Sequence, residues 1–434
     1  MLLAAVSAAP AVAQTASTRA GVDPYMKRAE RVLRSTPLID GHNDLPWAIR
    51  ESATAKGDPA KYDLRRAVAG HTDLTRLEKG LLGAQFWSVY IPGEKGASAY
   101  APSGKVTSTP GYARVQMEEI DIARQVITMY PDRFTLATRA SDVRPAFRRG
   151  RVASFLGMEG GHAIENSLSL LRQYYALGAR YMTLTHNVTL DWGDAALDSA
   201  RHGGLSPFGD EVVREMNWLG MLVDLSHVSP ATMSDALRVT RAPVIFSHSS
   251  ARALTDHPRN VPDSILQRLP ANGGVVMVTF VPSFISKEAY AWDTDAEAHQ
   301  ASLARRFPLD TAARSVAGKE WLAAHPRPRA TIGQVADHIE HVRKVASIDN
   351  VGIGSDFDGT SELPVGLEDV SKFPALFAEL ARRGWSDGDL RKLAGENILR
   401  ALRRAEVVAG RMQKERGPSY RTIQELDGVK ALTP

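Results

Sequence analysis

Residues 36–47 read Thr-Pro-Leu-Ile-Asp-Gly-His-Asn-Asp-Leu-Pro-Trp, a short apolar run that ends in polar residues. The run from Leu38 to His42 has the length and composition of a buried parallel strand. His42 and Asp44 are two positions apart, so on an extended strand end their side chains point the same way. A lone His-x-Asp pair is common by chance, but its place at the end of a strand predicts a pair of metal ligands.

Seven similar apolar runs follow, and segments with helical periodicity separate them. The predicted strands are Leu38 to His42, Gly83 to Ile91, Ala153 to Met158, Arg180 to His186, Met221 to His227, Pro243 to His248, Gly274 to Phe280 and Val351 to Asp356. The predicted helices include Gly111 to Tyr130, Ser167 to Leu177, Pro207 to Leu219, Pro230 to Thr240 and Ile332 to Val345. Eight strands alternating with helices predict an α/β fold, a TIM-like (β/α)8 barrel, although a doubly wound sheet fits the same alternation.

We expect a single catalytic domain over residues 36–409. Lys287 to Ala330, after the seventh strand, is charged and helical in two pieces, and we interpret it as an insertion. Beyond the eighth strand, Val370 to Arg383 and Ser386 to Ala409 predict two terminal helices, with Ser386 as an N-cap. The C-terminal tail then covers residues 410–434.

The N-terminal residues predict export. Residues 1–13 are apolar and small and end in Ala11-Val12-Ala13, which fits a signal-peptidase site. The segment 14–35 would then precede the barrel. On this interpretation the protein is secreted or periplasmic.

Composition narrows the function further. The 434 residues carry a net charge of +4, with basic and acidic residues interleaved, so no nucleic-acid partner is indicated. The densest basic stretch, Arg148 to Arg151, is interpreted as a solvated turn. No other run approaches the length of a membrane-spanning helix. The chain has no cysteine, so histidine and carboxylate side chains must hold any metal ion.

The predicted strands end in residues that bind metals or move protons. They are His42 and Asp44, Glu159, His186, His227, His248 and Asp356. The C-terminal ends of barrel strands converge on one face, which carries the active site in characterised barrels. We therefore expect these residues to form one site.

Five of these residues suit two zinc ions. Glu159 has glycines nearby on both sides, and its two oxygens can bridge two cations. The first ion would take His42, Asp44 and Glu159, and the second Glu159, His227 and His248. His186 is not needed in this set and is expected to meet the substrate, while His162 could support the ligands. The remaining histidines are assigned structural or surface roles: His71, His202, His257, His299, His325, His338 and His341.

From about Thr36 to Val407 the chain resembles the membrane dipeptidase family, also called renal dipeptidase, of amidohydrolase-like metallopeptidases. The motifs that carry the resemblance are Asp40-Gly-His-Asn-Asp-Leu-Pro-Trp47, Gly157-Met-Glu-Gly160, Leu184-Thr-His-Asn187, Asp224-Leu-Ser-His-Val-Ser229, Phe246-Ser-His-Ser-Ser-Ala251, Arg259-Asn-Val-Pro-Asp263 and Gly354-Ser-Asp-Phe-Asp-Gly359. The absence of cysteine means that the disulfide-linked dimers of mammalian members cannot be carried over, although a homodimer remains possible.

The resemblance implies hydrolysis of small dipeptides by two zinc ions that activate a bridging hydroxide. It implies that His42, Asp44, Glu159, His227 and His248 bind the ions. His186 would contact the scissile carbonyl, Arg259 the substrate carboxylate, and Asp356 would bind substrate and shuttle the proton. Glu159 counts as catalytic because it bridges the ions.

Several alternatives stay open at this point. Asp358 could carry the proton instead of Asp356, and Arg259 could merely anchor its own loop. The same barrel could hydrolyse N-acyl amino acids or lactams, since fold does not fix substrate. A silent metal-binding protein is disfavoured because it would need neither Asp356 nor His186. The insertion after the seventh strand leaves the side-chain preference open.

Overall fold

The structure, a computed structural model, describes residues 23–93 and 111–428. These residues form nine β-strands: β1 Leu38–Asn43, β2 Leu82–Ser88, β3 Phe134–Leu136, β4 Val152–Glu159, β5 Ala179–Thr183, β6 Leu222–Asp224, β7 Val244–Phe246, β8 Val275–Val278 and β9 Val351–Ile353. The α-helices are α1 Pro24–Ser35, α2 Leu45–Glu51, α3 Leu74–Lys79, α4 Tyr112–Met129, α5 Ala140–Arg148, α6 Leu168–Leu177, α7 Pro207–Leu219, α8 Pro230–Val239, α9 Asp263–Leu266, α10 Leu269–Asn272, α11 Pro282–Ile285, α12 Lys287–Arg306, α13 Thr311–Ala324, α14 Ile332–Val345, α15 Phe373–Arg382, α16 Asp387–Arg391, α17 Asn397–Glu415 and α18 Ile423–Asp427.

Eight of the strands close a parallel barrel in the order β1, β2, β4, β5, β6, β7, β8 and β9, with β9 pairing back to β1. The predicted (β/α)8 fold is therefore confirmed. Every residue of these eight strands is buried, as expected of a sheet covered on both faces. The short β3 was not predicted. It pairs with residues 152–154 at the start of β4, and β5 pairs with residues 156–159 further along the same strand.

Local sequence signals explain where the barrel helices begin and end. Ser167, Ser206 and Ser229 stand before α6, α7 and α8, and each side chain accepts a backbone N–H bond from the first helical turn. Gly178 and Gly220 end α6 and α7 with φ angles of 119° and 85°, a conformation that favours glycine. These turns return the chain to the next strand.

Six of the eight predicted strands extend beyond the observed C-terminal ends, and the first and third end one residue short of them. The fifth was expected to reach His227 but β6 ends at Asp224, and the eighth was expected to reach Asp356 but β9 ends at Ile353. The reason is local: His227 and Asp356 have φ angles of 66° and 68°, which no strand can contain. His186, His227, His248 and Asp356 therefore lie on loops just after their strands, whereas His42 and Glu159 belong to β1 and β4.

Outside the barrel, the two helical pieces predicted in residues 287–330 are present, whereas the last predicted helix is divided. The last predicted helix, from Ser386 to Ala409, is instead α16 and α17 joined by a π-helical turn, Lys392–Glu396. Residues 287–330 contain α12 and α13, whose Trp292 and Trp321 rings lie 5.6 Å apart. No helix in the described ranges is both long enough and apolar enough to cross a membrane. The predicted signal peptide, residues 1–13, lies outside the described residues.

Candidate active site

The C-terminal end of the barrel gathers the seven strand-end residues into one cluster. His42 lies in β1, Asp44 caps α2, and Glu159 is the last residue of β4. The other four follow β5, β6, β7 and β9, at His186, His227, His248 and Asp356. Asp44 lies outside the strand, so the prediction that it shares an extended strand end with His42 was wrong. The two side chains nevertheless meet, with Asp44 Oδ2 3.2 Å from His42 Nε2.

Glu159 lies at the centre of this cluster. Its Oε2 is 3.3 Å from His42 Nε2, and its Oε1 is 2.9 Å from His227 Nε2 and 3.3 Å from His248 Nε2. The two oxygens of one carboxylate therefore face two different groups of nitrogen and oxygen atoms. Two groups of residues each have their candidate ligand atoms within 4.8 Å of one another. One group is His42, Asp44 and Glu159, and the other is Glu159, His227 and His248.

The donor atoms fit metal ions. His42 Nε2 and Asp44 Oδ1 are buried without a hydrogen-bond partner among the described residues, an arrangement that costs free energy unless a cation satisfies them. The Nε2 atoms of His227 and His248 face each other at 2.9 Å. Imidazole nitrogen and carboxylate oxygen are ligands that zinc accepts.

The far side of each histidine ring holds it in the tautomer that a metal requires. His227 Nδ1 must donate to the amide oxygen of Asn187, 3.0 Å away. The hydroxyl of Ser247 donates to Asp224 at 2.6 Å, so it can accept from His248 Nδ1 at 2.8 Å. A proton on Nδ1 leaves the Nε2 lone pair directed into the cluster.

The third histidine is held in the same way. Tyr181 donates its hydroxyl proton to the Gly41 carbonyl and accepts from His42 Nδ1, 2.8 Å away. Sequence reasoning missed Tyr181, Asn187 and Ser247. Asn187 and Ser247 each adjoin a predicted site histidine, which was a usable signal, whereas Tyr181 lies inside a strand and gave none.

The charges around Glu159 favour a positive charge in the cluster. Burial opposes ionisation of Glu159, but the surrounding histidines outweigh it and hold the pKa of this carboxyl well below its usual range. Burial alone would lower the pKa of His42, yet Tyr181, Glu159 and Asp44 together raise it well above its usual value. The carboxylates of Glu159 and Asp44 therefore favour a positive charge beside His42.

Asp356 and Arg259 border the ligand cluster. Burial, reinforced by the negative charge of Asp44, raises the pKa of Asp356 to about 8. Arg259 is 1% exposed, and burial lowers its pKa to about 10, so it remains charged at neutral pH. Its Nη2 lies 2.8 Å from His248 Nε2, while Nε and Nη1 have no hydrogen-bond partner among the described residues.

Asp358 does not share the position of Asp356. The strand has already ended, and Asp358 has a φ angle of 64°. Its Oδ1 accepts the backbone N–H of His71 at 2.6 Å, on the loop before α3. Asp356 Oδ1, by contrast, lies 3.9 Å from His42 Nε2. The geometry therefore favours Asp356 over Asp358 as the carboxylate facing the ligand cluster.

The remaining predicted residues lie around this centre. His186 Nε2 is 3.9 Å from Glu159 Oε1, and its ring packs against His227 with centroids 4.3 Å apart. His162 bonds through Nε2 to the Ile91 carbonyl at 2.9 Å, tying the loop after β4 to the loop after β2. His338 is buried on α14, where its Nδ1 accepts the Ala251 N–H at 3.0 Å.

A (β/α)8 barrel with this histidine and carboxylate cluster at its strand ends defines a metal-dependent hydrolase. The family model of the membrane dipeptidases, peptidase family M19, matches residues 26–416. The chain belongs to this family of metallo-dipeptidases.

Solved structures show the same relationship. The probable dipeptidase PvdM from Pseudomonas aeruginosa is 25% identical with a TM-score of 0.74, and the match covers 89% of this chain and 99% of that one. A metallo peptidase from Rhodobacter sphaeroides, solved with a phosphinate mimic of the dipeptide L-Ala-D-Ala, is 26% identical with a TM-score of 0.65; that match covers 85% and 99%. An amidohydrolase from Pseudomonas aeruginosa at 22% identity and TM-score 0.64, covering 87% and 98%, shares the fold.

Proposed function

We propose that the protein hydrolyses the peptide bond of dipeptides with two zinc ions bridged by Glu159. The first ion would be held by His42, Asp44 and Glu159, and the second by Glu159, His227 and His248. The observation that carries this proposal is the orientation of Glu159, whose Oε2 and Oε1 face different histidines at 3.3 Å and 2.9 Å. The Nδ1 partners of all three histidines support it, because they leave each Nε2 free to bind a metal.

When bound, zinc polarises a carbonyl group and lowers the pKa of water to roughly 7. Asp356 borders the ligand atoms, with Oδ1 3.9 Å from His42 Nε2, and from there its carboxylate can take the proton of the attacking water and pass it to the leaving amine. His186 lies beside Glu159, where an imidazole N–H can donate to the oxygen of the scissile carbonyl as its negative charge develops.

Arg259 supplies the specificity for a dipeptide in this proposal. Its buried guanidinium lies against His248 through Nη2, and its Nε and Nη1 have no hydrogen-bond partner among the described residues. A guanidinium can bind a carboxylate through two parallel hydrogen bonds, which fixes distance and orientation. The α-carboxylate of a substrate held here would lie one residue beyond the scissile bond.

A substrate panel tests the function. Zinc-loaded protein is offered L-Ala-L-Ala, L-Ala-D-Ala, N-acetyl-alanine and a lactam, with metal-stripped protein as the control. L-Ala-D-Ala belongs in the panel because the Rhodobacter relative binds a mimic of it. We expect hydrolysis of free dipeptides only, and only by the zinc-loaded protein. Faster turnover of the N-acyl amino acid or the lactam would replace the dipeptidase assignment with another amidohydrolase reaction.

A further inference from the structure

Asp224, the last residue of β6, is a buried carboxylate that neither binds a metal ion nor moves a proton in the proposed function. Its Oδ1 accepts the backbone N–H groups of Ser247 at 2.8 Å and Ser226 at 3.1 Å. Its Oδ2 accepts the hydroxyl groups of Thr183 at 2.5 Å and Ser247 at 2.6 Å. All four residues are completely buried. An ionised carboxylate has lone pairs for four such donors, so Asp224 acts here only as an acceptor.

The bond from Ser247 to Asp224 decides the orientation of the Ser247 hydroxyl. A hydroxyl group has one proton, and Asp224 Oδ2 accepts it. The oxygen of the same hydroxyl therefore offers only a lone pair to His248 Nδ1, 2.8 Å away. His248 must then carry its proton on Nδ1 and direct the Nε2 lone pair into the ligand cluster. Asp224 thus acts on His248 through Ser247.

A contact on the opposite side of the His248 ring agrees with this tautomer. Arg259 Nη2 lies 2.8 Å from His248 Nε2. A guanidinium can only donate hydrogen bonds, so His248 Nε2 must be the acceptor and the ring proton must again be on Nδ1. The contacts on both sides of the ring therefore require the same position for its proton.

A second pair of aspartate and serine has the same geometry, between β1 and the loop after β9. Asp40 accepts the backbone N–H of Ser355 through Oδ1 and its hydroxyl through Oδ2, both at 2.7 Å. Both residues are completely buried. The two pairs differ in the third partner, because Ser355 Oγ faces the backbone carbonyl of His42 at 3.2 Å and not an imidazole nitrogen. Of the two pairs, only Asp224 and Ser247 can set the proton position of a candidate metal ligand.

We propose that Asp224 is a positioning residue, which holds the Ser247 hydroxyl in the orientation that His248 needs to bind the second zinc ion. This proposal rests on the proposed function, because it takes His248 as a zinc ligand. Residues that hydrogen-bond a metal-binding histidine contribute about 10- to 100-fold to metal affinity. Asp224 lies one bond further from the metal and acts through the direction of a single hydrogen bond.

The Asp224→Asn substitution should reverse that direction. Its amide oxygen would take the place of Oδ1, where two backbone N–H groups require an acceptor. Its NH2 group would then take the place of Oδ2 and donate to the Ser247 hydroxyl, whose own proton would need another acceptor. Ser226 Oγ, 3.4 Å away, already accepts the His248 N–H and the Ser249 hydroxyl. The Ser247 proton would therefore be directed at His248 Nδ1, against the tautomer that binds zinc.

The test measures both zinc dissociation constants of the protein by competition with a chromogenic chelator. Asp224→Asn is compared with Asp40→Asn, the matched control, which removes the same charge from the equivalent pair. We expect Asp224→Asn to weaken one zinc site about 10-fold or more and to leave the other nearly unchanged. Asp40→Asn should leave both sites nearly unchanged, because the Ser355 hydroxyl can donate to the His42 carbonyl instead.

Removing the Ser247 hydroxyl separates this role from general support of the fold. Ser247→Ala should weaken the same zinc site, but less than Asp224→Asn does, because it takes away an acceptor without adding a competing donor. In the double variant Asp224→Asn/Ser247→Ala the competing donor is absent, so zinc binding should return to the level of Ser247→Ala. If Asp224 merely supported the fold, the two losses would add.

Equal zinc binding by Asp224→Asn and Asp40→Asn would overturn the proposal. Unchanged zinc binding in Ser247→Ala would also overturn it, as would a double variant that binds zinc more weakly than Asp224→Asn. Should Asp224→Asn not fold, Ser247→Ala alone still decides, because it leaves the carboxylate and its backbone bonds in place.

Dipeptide hydrolysis by the zinc-loaded, unaltered protein is measured separately. If no dipeptide is hydrolysed, the proposed function fails, while the dissociation constants of the four variants still decide the role of Asp224. An unaltered protein that binds only one zinc ion would contradict both.

Discussion

Replacing Arg259 tests whether the protein recognises the free carboxylate of a dipeptide. The guanidinium is buried and charged, and two of its nitrogen atoms lack hydrogen-bond partners among the described residues. Truncating one partner of a buried, hydrogen-bonded charge pair costs about 2 to 5 kcal/mol. In Arg259→Ala, kcat/KM for free dipeptides should therefore fall by about 30-fold to a few thousandfold.

The assay compares free with C-terminally amidated dipeptides. The unaltered enzyme should strongly prefer the free form, and Arg259→Ala should lose most of that preference because the amide never used the guanidinium. Arg259→Lys should also be impaired, since an ammonium lacks the planar fork.

Arg252→Lys is the matched control. Arg252 lies on the same loop but bonds to that loop's own carbonyl groups, at His257 and Pro258. If free and amidated dipeptides are hydrolysed in the same ratio by the unaltered enzyme and Arg259→Ala, Arg259 does not recognise the carboxylate. If Arg252→Lys and Arg259→Lys lose the same fraction of kcat/KM, the losses report damage to the loop and not recognition of the carboxylate.

Three further changes test the site and the fold. Asp356→Asn should keep both zinc ions but lose on the order of 10²-fold or more in kcat, and unchanged kcat would refute its proton-transfer role. Gly359→Ala places a Cβ in steric conflict with Asp44 Oδ2 and Asp356 Oδ1, so zinc content and kcat should both fall. Gly410→Ala, with open space around it, should change neither. Burial lowers the pKa of His338 to about 4, so only the unfolded chain takes up its proton as pH falls below 6.5. Between pH 7 and 4, urea unfolding of unaltered protein should therefore lose about 3 kcal/mol more than His338→Gln, and identical losses would contradict this.

The sequence predicted the barrel because each of its strands is a local apolar run, and local composition decides which segments are buried on both faces. It also placed the candidate ligands near the strand ends, where the structure brings them together. The predicted strands that end at His227 and Asp356 were too long, because the residue types at these positions do not indicate a left-handed backbone. The three-residue β3 was missed because it is too short to show a pattern.

Apart from Asn187 and Ser247, which adjoin predicted histidines, the residues that support the site could not be predicted, because they act through contacts between distant segments. Thr72 bonds to Asn43 across 29 positions of the chain, and Tyr181 reaches His42 across 139. Asp358 carried the same chemical signal as Asp356, so only the family resemblance favoured Asp356 at first, and the fold supports that choice by directing Asp358 to His71. Identifying such residues requires the register of the barrel, which a strand pattern does not supply.

The central claim, a pair of zinc ions bridged by Glu159, is tested most directly by titrating metal-free protein with zinc while dipeptide hydrolysis and bound metal are followed together. Activity should be absent without metal and reach its plateau at two ions per chain. Glu159→Gln should bind one ion or none tightly and remain inactive, because a neutral amide is a poor bridge. Full activity at a single ion, or two tightly held ions in Glu159→Gln, would contradict the bridged pair.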